Sequence, residues 1–96
     1  MITIKVDQHK DIDILLLEHA LQIRHAGIQG IKESFELDLE EAHVAEFEVN
    51  GEYIDFIIKK EQWLTFLEVS IEPLLTEEDY PRLVEVRELM RNLSEL

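Results

Sequence analysis

The chain opens on an alternation in which Ile2, Ile4 and Val6 are apolar and Thr3 and Lys5 between them are polar. That is the period of a short strand with one buried face, predicted over residues 1–6. The period then lengthens. With Asp7 as N-cap, a helix is predicted to run to about Ala26, where Gly27 supplies a stop signal. Laid out at about 100° per residue, it carries two apolar stripes. Ile12, Leu16, Ala20 and Ile23 form one, with Leu15 beside them, and Ile14, Leu17 and Leu21 form the other on nearly the opposite side. Such a helix must be covered twice, so it is either the centre of the domain or it gives Ile14, Leu17 and Leu21 to a homodimer interface. His19 lies inside the first stripe and reads as a core residue.

Phe35-Glu36-Leu37-Asp38-Leu39-Glu40 alternates with period two and favours a strand, although Glu and Leu are also good helix formers. An irregular helical turn at residues 39–42 is the competing reading. The clearest local signal follows. Two alternating runs flank Asn50-Gly51, the preferred pair for a type I′ turn because both central residues need positive φ. That turn pairs Val49 with Glu52, Phe47 with Ile54 and Ala45 with Phe56. One face of the hairpin then carries Ala45, Phe47, Val49, Ile54, Phe56 and Ile58. The other carries Glu46, Glu48, Tyr53 and Asp55, flanked by Val44 and Ile57.

Residues 59–72 read as an amphipathic helix with Trp63, Leu64, Leu67 and Ile71 along one arc, ended by Pro73, which has no N–H to continue the ladder. A last helix is capped by Thr76 or Asp79, has Pro81 in its first turn, and buries Leu83, Val86, Met90 and Leu93. The order is β-α-β-β-β-α-α. The expected fold is α+β, a single compact domain over residues 1–96, with a small antiparallel sheet, helices packed on one face and an acidic open face.

Charge changes this picture most. Twenty-two acids against nine bases leave the 96 residues with a net charge of −13. Between Lys32 and Lys59 there is no Lys or Arg, while nine acids fall there: Glu33, Glu36, Asp38, Glu40, Glu41, Glu46, Glu48, Glu52 and Asp55. Direct binding of nucleic acid or of an anionic membrane is disfavoured, and a basic protein surface is the expected partner. Acidity for solubility alone is the plainer alternative. An apolar fraction of 46% supports a folded domain. No signal-peptide pattern or membrane-length apolar run is present, so a cytoplasmic, soluble protein is expected.

Candidate chemistry is sparse. There is no cysteine, no Gly-x-Ser-x-Gly elbow and no glycine-rich phosphate loop. One E-x-x-H, Glu40 to His43, lacks the second copy and the extra carboxylates that a di-metal bundle requires. No metal, cofactor or catalytic residue is assigned, and the chain is read as not an enzyme. If residues 35–40 formed a strand, Glu36, Asp38 and Glu40 would share a face with Glu46, Glu48 and Asp55. Spacings of about 6.6 Å along and about 4.8 Å between strands approach those of phosphates on a nucleic-acid strand. Such a face, with Tyr53 as an aromatic anchor, suits an inhibitor or adaptor that occupies a basic, nucleic-acid-binding groove of a partner. Small size, acidity and the lack of a catalytic motif are similar in type to nucleic-acid mimics and to immunity proteins, without a matching motif.

Overall fold

The structure, a computed structural model, describes residues 2–6 and 11–95, so the expected cap at Asp7 lies outside the described residues. The chain divides into two compact units, Met1–Lys59 and Lys60–Leu96, described in turn.

In the first unit, strand β1 (Ile2–Val6) is followed by helices α1 (Ile12–Glu18) and α2 (Ala20–Glu36), then by strands β2 (Glu41–Val49) and β3 (Glu52–Lys59). The sheet order is β1-β2-β3. The α+β class holds. The sheet, however, is mixed: β1 runs parallel to β2, and β2 antiparallel to β3. The helical connection between β1 and β2 is what permits the parallel pairing, which a tight turn could not make.

The expected helix end at Gly27 is overturned, and with it the strand at 35–40. Helix α2 runs through Gly27 and Gly30 to Glu36. Glycine inside a helix costs about 1 kcal/mol against alanine, yet α2 carries both without a break. A Cβ on Gly30 would lie 3.4 Å from the His43 carbonyl oxygen and 3.8 Å from the Ala42 Cβ. Ile23, Gly27, Ile31 and Ser34 form the buried stripe, and the Ser34 hydroxyl donates to the Glu41 carbonyl at 3.2 Å. The actual stop lies at Asp38, which adopts φ 57°. The Leu39 N–H donates to the Ser34 carbonyl (2.8 Å) and the Asp38 N–H to the Phe35 carbonyl (3.2 Å), a Schellman motif with an aspartate in the left-handed position.

Between α1 and α2 the axis is interrupted at His19, φ −114° and ψ 26°, although Leu15 and His19 carbonyls still accept the bonds that bridge the break. The half-buried imidazole stands 6.2 Å, centroid to centroid, from the Phe47 ring. Leu15 and Ile23 of the first stripe are buried, Leu16 is half-buried and Ala20 is exposed. The second stripe is not covered: Ile14, Leu17 and Leu21 are 44%, 78% and 50% exposed.

The hairpin register is as expected from Val49–Glu52 through Ala45–Phe56, with positive φ at Asn50 and Gly51. It then shifts. His43 pairs with Ile57 and Glu41 with Lys59, which leaves Val44 as the extra residue of a β-bulge. The bulge resets the alternation, so Ala42 and Val44 are buried together with Ala45, Phe47 and Val49. Val44 is therefore a core residue and does not flank the acidic face.

In the second unit, helix α3 (Lys60–Thr76) packs against helix α4 (Tyr80–Ser94). Trp63, Leu67, Ser70 and Leu74 are its buried positions. Pro73 does not end α3 but sits in its last turn, where the Pro73 carbonyl accepts from the Glu77 N–H at 3.0 Å. Glu78, at φ 57°, terminates it by the same motif as Asp38. Asp79 is the N-cap of α4: its carboxylate accepts from the Arg82 N–H at 3.4 Å and from the Arg82 guanidinium at 2.7 Å. Leu83, Val86 and Leu89 are buried there, whereas Met90 and Leu93 are half-buried. Among the described residues, no helix is long and apolar enough to cross a membrane.

Candidate interaction face

The sheet of the first unit separates its side chains by parity. Ile4, Phe47 and Ala45 are buried on one face, with Ile54 and Phe56 half-buried beside them. The opposite face is built in rows across the three strands. Lys5, Glu48 and Tyr53 form the row nearest the hairpin turn, and Thr3, Glu46 and Asp55 form the next. Beyond the bulge come His43 with Ile57, then Glu41 with Lys59.

This geometry brings together four of the residues expected at a binding site, Glu46, Glu48, Tyr53 and Asp55, and removes three. Glu36 closes α2, while Asp38 and Glu40 lie in the α2–β2 connection. All three are exposed, but none belongs to the sheet. The expected two-dimensional lattice of carboxylates is thus reduced to two rows. Glu40 and His43 are also not on a shared helical turn, since one lies in a connection and the other on β2.

The face is also not free of bases. Parallel pairing of β1 puts Lys5 beside Glu48, and the bulged register puts Lys59 opposite Glu41. Each stands beside the one acid of its row. The Thr3, Glu46, Asp55 row has no such partner. In a two-residue hairpin the pair flanking the turn is hydrogen-bonded and pairs alternate from there, which makes Glu46–Asp55 a non-hydrogen-bonded pair. Such pairs bring side chains closest, at about 4.5 Å between Cα atoms. Glu46 is half-buried and Asp55 exposed, so solvent screens the pair only in part. Tyr53, 60% exposed, stands one row away.

Sequence reasoning missed Lys5 and Lys59 because sign compensation here is carried by register rather than by proximity along the chain. The adjacent apolar pair Val44-Ala45 within an alternating run was the available signal for the bulge. The chain matches no protein-family model, no curated protein and no solved structure.

Proposed function

We propose that this is a non-enzymatic acidic interaction module, an inhibitor or adaptor that binds a basic surface of a partner protein, as a nucleic-acid mimic or an immunity-type protein does. The observation that supports the reading is the row that sets Glu46 against Asp55 with no base in it, next to the exposed ring of Tyr53. Like charges directly opposite cost about 0.2–1 kcal/mol, and the other two acid-bearing rows of this face each hold a lysine, Lys5 or Lys59. A row kept unbalanced serves an incoming cation. Tyrosine is the residue type that anchors such contacts.

The test is capture from host lysate with the wild-type chain and with a Glu46→Lys/Asp55→Lys variant as baits. A binder held by the wild type, released by salt and lost from the variant is the expected result. A binder held equally by both baits, or retained at high salt, contradicts the reading.

A second reading has its own observation. The Ile14, Leu17 and Leu21 stripe is exposed on α1 and the start of α2, which suits a small assembly subunit that homodimerises through it. Light scattering on the wild type and on Leu17→Glu separates the two readings. A concentration-independent monomer excludes the dimer.

A further inference from the structure

We infer that the outer edge of β3 is a strand-addition site, which takes an extended basic segment of a partner in which Lys or Arg alternates with β-branched residues. The inference rests on the acidic-face reading above and specifies how the partner engages it.

The backbone carries the first part of the argument. β3 lies at the end of the strand order. Among the described residues, Tyr53 to Ile57 make no backbone hydrogen bond beyond the β2 ladder. With Val49–Glu52 as the hydrogen-bonded pair that closes the turn, Ile54 and Phe56 bond inward to β2. Tyr53 and Asp55 therefore direct their N–H and C=O groups outward. The residues whose side chains form the acidic and aromatic part of the outer face are the same ones that offer a ladder to a new strand.

Side chains carry the second part. On the core face, Phe47 and Ala45 of the central strand are fully covered, yet Ile54 and Phe56 beside them on β3 are only half-buried. An added strand extends that face by one apolar residue in each row, beside Ile54 and beside Phe56. On the opposite face its alternate residues fall in the rows of Asp55 and Tyr53, where a cation meets the unbalanced Glu46–Asp55 pair and an aromatic ring. One alternating segment satisfies both faces and the edge, which is the recognition mode of β-augmentation. A second copy of β3 does not fit this description. Antiparallel self-pairing centred on the exposed part of the edge sets Asp55 against its own counterpart, the like-charge arrangement that keeps edges from associating.

The experiment uses the full chain and a heptapeptide of alternating lysine and valine, with two controls. One control carries N-methyl groups on alternate residues, which keeps every charge and removes the donors that pair with the edge. The other is a scrambled peptide of the same composition. Affinity is measured at low salt, and amide hydrogen exchange is followed at Tyr53 and Asp55. The expected result is that the alternating peptide binds about tenfold or more tightly than the N-methylated one and slows exchange at Tyr53 and Asp55. Equal binding of alternating and N-methylated or scrambled peptides, without protection at Tyr53 and Asp55, overturns strand addition while leaving the acidic face as a charge-recognition surface. Failure of all three peptides to bind at low salt overturns the acidic-face reading and this inference with it.

Discussion

Replacing Asp55 by lysine should stabilise the chain while abolishing the proposed binding. Asp55 stands directly opposite Glu46 in a non-hydrogen-bonded pair, an arrangement that sets the two Cβ atoms about 4.5–5.5 Å apart. At about 5 Å two unit charges in water interact by about 0.8 kcal/mol, within the range of about 0.2–1 kcal/mol for like cross-strand pairs. Asp55→Lys converts this repulsion to an attraction of similar size, a swing of about 1–1.5 kcal/mol. For a domain of this size each kcal/mol moves the Tm by about 4–8 °C, so a rise of about 5 °C or more is expected in circular-dichroism melts at low ionic strength. Asp55→Asn should give roughly half. Glu52→Lys makes the same change in net charge opposite Val49, and so isolates the pair from the general relief of a net charge of −13. At about 1 M salt, where the screening length falls to about 3 Å, the Asp55→Lys gain should shrink by more than half. A fall in Tm, a gain no larger than that of Glu52→Lys, or a gain indifferent to salt refutes the reasoning.

Four further outcomes follow from the fold. Val44→Glu should destabilise by about 3 kcal/mol or more in urea titrations, because the bulge turns Val44 into the core, where it is fully buried; near-neutral behaviour would mean that the unbulged register is the true one. Asp38→Gly should stabilise by about 0.5–1 kcal/mol, since the left-handed backbone at φ 57° costs an aspartate more than it costs glycine; a loss would argue that the carboxylate itself caps the turn. Gly30→Leu should lower the urea midpoint by an amount equivalent to about 2 kcal/mol or more, as its side chain meets the His43 carbonyl and Ala42, with unchanged stability as the contrary result. Leu17→Glu should leave the urea midpoint within about 0.5 kcal/mol of wild type, because Leu17 is 78% exposed; a large loss would show that this stripe is covered in the folded state.

The contrast between what was legible in the sequence and what was not has a physical cause. Alternation in β1 and around Asn50-Gly51 is local, and the turn itself dictates the pairing, so the register from Val49–Glu52 to Ala45–Phe56 could be read directly. The end of α2 was hidden because tertiary packing overrides a propensity: Gly27 reads as a stop, yet it is buried within a helix that packs on β2. Asp38 gave no warning, since a non-glycine residue in the left-handed region is chosen by the hydrogen bonds around it rather than by its own preference. Residues 35–40 alternate as a strand does, yet they close a helix, because six residues are too few for the period to decide. Half of the expected acidic face was lost by that error. The other half survived because the hairpin carries it, and the parallel pairing of β1, invisible along the chain, then showed which of its acids have a base alongside.

The central claim is that the Glu46–Asp55 row, rather than acidity in general, recognises the partner. It is tested most directly by measuring the affinity of a captured partner for three forms of the chain at one salt concentration: wild type, Glu46→Lys/Asp55→Lys, and Glu36→Lys/Asp38→Lys. The last two make the same change in net charge, one on the sheet and one at the α2–β2 connection. The account predicts loss of binding for the sheet variant and binding within a few-fold of wild type for the connection variant. Equal loss in both, or loss in the connection variant alone, contradicts it.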